Sequence, residues 1–182
     1  RIDHPDRLIF DLDPSDDDFG KVQRAARATR ELLAELDLES FVQTTGSRGL
    51  HVLVPLDRRA DFDTVRRFAG DLCRLLAQRA PDLATVEQRK AKRGDRVFLD
   101  YLRNAYGQTS VAPYGVRAKP GAPVATPLDW SEALAADMSP HRFTIRNLFR
   151  RLSRRDDPWA GIGRRRQSLT KAARRLAGLT KG

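Results

Sequence analysis

Leu8-Ile9-Phe10-Asp11-Leu12-Asp13-Pro14 is the stretch on which the fold turns. It reads as a β-strand. Leu8, Phe10 and Leu12 alternate with Ile9, Asp11 and Asp13, and successive side chains of a strand point to opposite faces. Both carboxylates therefore leave the same face. Residues two apart on a strand lie about 6–7 Å apart, a gap that two side chains can close on one divalent cation. Bare carboxylates so placed repel each other unless water, a turn or a cation relieves them. A plainer reading stands beside this one. Asp13-Pro14-Ser15-Asp16-Asp17-Asp18 also suits a loop whose aspartates bond their own backbone, and a lone D-x-D carries a high false-positive risk.

Far downstream, Arg96-Val97-Phe98-Leu99-Asp100-Tyr101-Leu102 is a second strand-like run that offers a third carboxylate, Asp100. Three hard oxygen donors suit Mg²⁺ or Mn²⁺, the cations that act on phosphates.

Between these runs the chain alternates in type. Val22, Ala25, Ala26, Thr29, Leu32, Leu33 and Leu36 recur at helical spacing, predicting a helix from about Gly20 to Asp37. Phe41–Thr44 and Leu50–Leu56 read as strands joined by the turn Gly46-Ser47-Arg48-Gly49. Asp61 is an N-cap candidate for a helix carrying Phe62, Val65, Phe68, Leu72, Leu75 and Leu76. The order β-α-β-β-α-β predicts an α+β fold of the split-βαβ, ferredoxin- or RRM-like kind. Its antiparallel sheet would carry helices on one face and leave the other open. Its usual strand order sets the first strand between the third and fourth, so the Asp11/Asp13 strand would lie between the His51 and Asp100 strands.

Beyond Asn104 come Gly/Pro-rich segments. A short helix is expected over Trp130–Met138, and another led by Ser139-Pro140 through Ile145, Leu148, Phe149 and Leu152. Gly161–Arg166 reads as a basic linker and Ser168–Leu179 as a frayed terminal helix. The expected organisation is a catalytic core over 1–159 and a basic linker with a helical tail over 160–182.

At 182 residues, 40% hydrophobic and 32% charged, the chain suits one globular domain with an appendage. It holds no run of 18 apolar residues and no signal peptide, so no membrane partner is expected. The single cysteine, Cys73, lies in an apolar helical pattern and reads as core. One cysteine and three histidines argue against structural zinc and for the reducing cytoplasm. The net charge of +10 is unevenly spread. From Arg142 onward, 13 Lys/Arg face two Asp, leaving the rest of the chain close to neutral. Such a polycation suits nucleic acid, against the plainer reading of a solvated helix surface. Arg150, Arg151, Arg154, Arg155 and the run Arg164, Arg165, Arg166 are the candidate DNA contacts, with Arg93 from the basic stretch Arg89–Arg96.

Thr44-Thr45-Gly46-Ser47-Arg48-Gly49-Leu50-His51 combines hydroxyls, exposed N–H groups, an arginine and a histidine, which together can hold phosphate oxygens. By itself it is an ordinary glycine-rich hairpin turn. Beside a metal-binding face it becomes a triphosphate site, to which Arg103 and Arg117 could add charge.

These residues carry a resemblance. The chain resembles the polymerase domain of bacterial DNA ligase D, of the archaeo-eukaryotic primase superfamily. The matching stretches are Phe10-Asp11-Leu12-Asp13-Pro14, Thr45-Gly46-Ser47-Arg48-Gly49-Leu50-His51-Val52, Val97-Phe98-Leu99-Asp100-Tyr101-Leu102-Arg103-Asn104, Val111-Ala112-Pro113-Tyr114 and Pro127-Leu128-Asp129-Trp130, extended by Phe143-Thr144-Ile145 and Asp157-Pro158-Trp159. The resemblance implies that Asp11, Asp13 and Asp100 are catalytic ligands of a two-metal Mn²⁺ or Mg²⁺ site. It implies that Thr45, Arg48, His51, Arg103 and Arg117 bind the nucleoside triphosphate. The implied reaction is nucleotidyl transfer to a nucleic-acid 3′-OH, with ribonucleotides preferred. The setting is non-homologous end joining at double-strand breaks or primer-template junctions, beside Ku and a ligase domain, in the bacterial nucleoid.

There are departures. Thr45 stands where the family usually has Ser, Tyr106 where a basic residue is common, and Gly115 where Ser is common. The family domain also carries a substantial segment before the D-x-D strand, whereas ten residues precede Asp11 here. The expectation is a fragment, one part of a split protein, or a reduced variant.

Three other readings compete. A haloacid-dehalogenase-type phosphohydrolase also opens on a strand ending in D-x-D, with Gly94-Asp95 and Asp100 imitating its acidic motif; against it, Pro14-Ser15 lacks the usual Thr/Val. An RRM-type module shares the element order, but the central strands carry Asp where stacking aromatics would be needed. A catalytically inactive DNA-binding remnant differs from the polymerase only in turnover.

Overall fold

The structure, a computed structural model, describes residues 2–180. Its centre is β1 (Arg7–Asp13). Strand β2 (Phe41–Thr44) turns back as β3 (Leu50–Pro55), and β3 pairs antiparallel with β1. On the other side of β1 lies β5 (Val97–Asp100), also antiparallel. Two strands of two residues each, β4 (Ala84–Thr85) and β6 (Pro127–Leu128), extend the sheet to the order β4-β5-β1-β3-β2-β6. The inner order β5-β1-β3-β2 is the expected split-βαβ arrangement. The edge strands are not legible in the sequence because two residues carry no periodicity.

Helices α1 (Phe19–Glu35) and α2 (Phe62–Arg79) pack on one face. Each starts where a side-chain carboxylate caps it: Asp18 accepts from the Lys21 N–H and Asp61 from the Thr64 N–H. Helix α1 ends as Asp37 takes a left-handed φ of 60° and the Leu38 N–H reaches back to the Leu33 carbonyl. Leu8, Phe10 and Leu12 point from β1 into this helix-covered core and are essentially inaccessible.

The opposite face is only partly open, which corrects the expectation. Trp159 covers Ile9 and Leu53, with Phe41 and Ile162 packed around them. Its indole N–H donates to the Val42 carbonyl. The carboxylate end of β1 lies beyond this cover.

The C-terminal third departs further from expectation. Helix α3 spans only Trp130–Ala133. Helix α4 (Leu148–Leu152) begins well after Ser139-Pro140. The backbone before it has other partners: the Val124 N–H donates to the Phe143 carbonyl, Pro123 bridges Thr144, and the Asn147 side chain ties Thr144 to Arg142. These sheet-like and turn contacts exclude a helix there. Only Leu148 of the periodic set is buried, while Ile145, Phe149 and Leu152 face solvent. By contrast, α5 (Leu169–Leu179) is docked rather than frayed. Leu169, Ala172 and Leu176 join the main core against α2, and Gln167 exchanges backbone hydrogen bonds with Pro55 and Asp57. No described helix is long and apolar enough to cross a membrane.

Candidate active site

Strand register assembles the site. Asp11 lies opposite Asp100 on β5 and opposite His51 on β3, and His51 lies opposite Gln43 on β2. Directly opposed residues of antiparallel strands present their side chains on the same face. Asp100, Asp11, His51 and Gln43 thus form one row across four strands, with Asp13 two residues along from Asp11. The row is buried at its centre: Asp11 is 7% exposed, His51 3% and Gln43 2%.

Its contacts are polar throughout. Arg103 Nε sits 3.4 Å from Asp11 Oδ2 and 3.3 Å from Asp100 Oδ2. His51 Nε2 lies 3.3 Å from Asp11 Oδ1, yet no donor is aligned on that oxygen. Gln43 Nε2 donates to the Val111 carbonyl at 3.2 Å and lies 3.4 Å from His51 Nδ1. Arg103 is held in place by its neighbour. Asn104, in the 3₁₀ turn Leu102–Asn104, accepts from the Ile9 N–H and donates to the Ile9 carbonyl. It acts there as one more ladder rung beside β1.

Asp13 is half-buried, and its pKa is raised above the usual carboxylate value. Burial is the main cause, followed by the negative charge of Asp11; Arg48 pulls the other way, and Asp100 adds to the rise.

The β2–β3 turn closes one end. Thr45 Oγ1 accepts from the Ser47 and Gly49 N–H groups and donates to the Gly49 carbonyl, so the hydroxyl shapes the loop. Two glycines are required. Gly46 has φ +62°, and a Cβ there would fall 2.8 Å from Arg117 Cγ. A Cβ on Gly49 would fall 2.1 Å from the Leu12 carbonyl oxygen. The loop backbone is therefore pressed against the end of β1 beside Asp13. Arg117 reaches the Thr45 carbonyl through Nη1 at 3.5 Å, and Lys119 donates to Ser47 Oγ.

The structure thus gathers Asp11, Asp13, Asp100, His51, Arg103 and Arg48 on one face, with Thr45 and Arg117 at its rim. It turns other expected residues elsewhere. Arg93 folds onto its own segment, donating to the Glu87 and Gln88 carbonyls with its guanidinium 3.6 Å from the Phe98 ring centroid. Arg151, expected on a DNA-facing surface, turns inward to a two-point ion pair with Glu132 and to the Pro127 carbonyl. Arg165 pairs with Glu39, while Arg150 and Arg154 have no acidic partner among the described residues. Two residues of the site were not foreseen, Gln43 and Asn104. The sole signal for Gln43 was a polar residue in an otherwise buried strand.

A divalent cation can be tested against this donor set. Among the described residues, no three Asp, Glu, His or Cys side chains are gathered into a ready metal cage. Arg103 lies between two of the carboxylates instead. Their chemistry nonetheless fits a hard cation: three carboxylates on one face, a buried Asp11 oxygen without a donor, and an Asp13 carboxylate whose charged form is disfavoured by burial and by the Asp11 charge.

The profile of the LigD primase-polymerase domain matches residues 1–159. The chain belongs to this family. That family is one of primase-polymerase domains, which sets aside the phosphohydrolase reading. In keeping with that, Asp95 of the imitated acidic motif lies in an exposed turn paired with Lys21. The multifunctional non-homologous end joining protein LigD of Pseudomonas aeruginosa is 37% identical over 180 residues, which is 97% of this chain and 21% of that protein. The bifunctional LigD of Bacillus subtilis is 31% identical over 157 residues, covering 85% of this chain and 26% of that protein. The chain thus spans about a quarter or less of these relatives. Among solved structures, the polymerase domain of Mycobacterium tuberculosis ligase D in complex with DNA superposes with a TM-score of 0.83 at 30% identity, over 90% of this chain and 57% of that one.

Proposed function

We propose that this chain transfers a nucleotidyl group from a nucleoside triphosphate to a nucleic-acid 3′-OH, as the polymerase module of a bacterial end-joining system. The observation that carries the reading is the row Asp100–Asp11–His51 across three adjacent strands, closed at one end by the Thr45–Gly49 turn. Asp11, Asp13 and Asp100 would hold Mn²⁺ or Mg²⁺, which when bound activates the attacking hydroxyl and neutralises the triphosphate. The chain's own cations do the rest. Arg48, Arg103 and Arg117 face the same end of the sheet and suit phosphate oxygens. His51, fixed between Asp11 and Gln43, offers a ring N–H beside them. The turn's backbone, stiffened by Thr45, supplies further donors. Catalysis in such a site comes from positioning and charge neutralisation. Phosphates of a DNA end would be gripped by Arg150, Arg154, Arg155, Arg164 and Arg166. Ribonucleotide preference, Ku and a ligase module as partners, and work at the bacterial nucleoid belong to the same proposal.

The test is primer extension by this chain with Mn²⁺ and a labelled ribonucleoside triphosphate, against the Asp13→Ala variant. Extension lost in the variant supports the reading. No extension by the unaltered chain, with nucleotide binding intact, leaves a catalytically inactive DNA-binding protein instead.

A further inference from the structure

The polar row does not end at His51. Gln43 lies opposite it on β2 and is 2% exposed, between the buried Val42 and Thr44. An apolar side chain would fill that place with less loss of hydration, because Gln43 Oε1 is buried and meets no donor among the described residues. What the amide does make is two contacts through its nitrogen. Gln43 Nε2 donates to the Val111 carbonyl at 3.2 Å and lies 3.4 Å from His51 Nδ1.

The Val111 carbonyl settles which way the amide faces. Turned over, the amide would set one carbonyl oxygen against another where a hydrogen bond now stands. The segment that carries Val111 is itself pinned. Three residues on, the Tyr114 N–H donates to the Ala125 carbonyl and its hydroxyl donates to Asp157 at 2.9 Å, with the backbone held at a left-handed φ of 61°. An amide nitrogen only donates. The atom facing it, His51 Nδ1, must then accept, and a neutral imidazole that accepts at Nδ1 carries its proton on Nε2. His51 Nε2 is the ring nitrogen on the carboxylate side, 3.3 Å from Asp11 Oδ1. The other tautomer would turn a bare nitrogen toward that oxygen and an N–H against the amide N–H₂. Gln43 on one flank and Asp11 on the other favour the same tautomer.

We propose that Gln43 is a positioning residue: its amide nitrogen, aimed by the Val111 carbonyl, fixes the His51 ring with its proton on Nε2, toward the carboxylates and the triphosphate. The use of that proton rests on the reading of the site as one for nucleotidyl transfer; the tautomer itself does not. Outer partners of this kind orient the group that meets the ligand, and in metal sites their loss changes affinity by about 10- to 100-fold.

The experiment is nitrogen-15 NMR of the His51 ring in the full chain at about pH 9, where an ordinary imidazole is neutral. Protonated and bare ring nitrogens resonate far apart, and couplings to the ring protons tell Nδ1 from Nε2. His51→Gln assigns the signal among the three histidines. In the unaltered chain Nε2 should carry the proton and Nδ1 should be bare. Gln43→Glu replaces the donor by an acceptor and should put a proton on Nδ1. Gln43→Lys returns a donor and should leave Nδ1 bare again. A proton on Nδ1 in the unaltered chain, or a bare Nδ1 in Gln43→Glu, overturns the proposal. Melting curves show which variants are folded, and the spectrum of the unaltered chain can refute the assignment without them. Calorimetry then follows the binding of adenosine triphosphate with Mn²⁺. Gln43→Leu should weaken it roughly tenfold, and Gln43→Lys should restore most of the loss. Equal affinity in Gln43→Leu and the unaltered chain overturns the positioning role. A chain that binds no triphosphate yet shows the expected spectra overturns only the polymerase reading.

Discussion

Asp13 shows how one residue is set by competing demands. Its raised pKa means that the folded state binds a proton more readily than the unfolded chain does. Stability therefore falls as pH climbs from the ordinary aspartate value through the raised one, and the penalty is full above that window. Asp13→Asn removes the penalty. In chelator at neutral pH the variant should melt higher than the unaltered chain. The gain should vanish in acid below the aspartate range, while nucleotidyl transfer is lost. A lower melting temperature at neutral pH would assign Asp13 to the turn it precedes. Asn104 should behave in the opposite way. Asn104→Ala leaves the Ile9 N–H and carbonyl unpaired in a buried setting. The cost is about 2–4 kcal/mol, measured by denaturant unfolding. The variant should also bind nucleoside triphosphate more weakly, because Arg103 loses its anchor.

At the scale of elements, the helices divide sharply. Helices α1 and α2 follow their apolar periodicity because long amphipathic stretches bury a whole face, and an aspartate caps each start. Helix α4 does not, because its lead-in segment finds sheet-like partners first. Helix α5 is the reverse case. Its pattern is weak in sequence, yet three of its residues complete the core beside α2. Leu176→Ala should therefore cost about 2–4 kcal/mol, as for a buried leucine, measured by thermal or urea unfolding. A change near zero would mean that α5 is the loose appendage its composition suggested.

At the scale of the whole molecule, the positive charge of the last forty or so residues overlies elements that are part of the fold. Deleting them would remove core packing together with charge. Substitution separates the two. The triple variant R164Q/R165Q/R166Q should keep the fold and flatten the salt dependence of duplex DNA binding by about 0.9 for each phosphate left without its arginine. Its metal and nucleotide binding should be unchanged. Coincident slopes for the two proteins would mark this run as solvated surface and shift the duplex contacts elsewhere.

The sequence by itself determined the core order of the sheet and the face on which the three carboxylates gather. Alternation in β1 and in the Asp100 strand, with two capped amphipathic helices between strands, leaves few ways to bury the apolar residues. Asp11, Asp13, Asp100 and His51 were legible because each sits at a defined place in that alternation. Tertiary structure alone decided the rest, because it depends on partners distant along the chain. Register set Gln43 behind His51, and the side chain of Asn104 took up the backbone of Ile9. Glu132 drew Arg151 inward, while Arg150 and Arg154 met no carboxylate among the described residues. A charge run in a sequence shows only how many cations there are; which of them remain available is settled by the carboxylates and carbonyls that folding brings beside them.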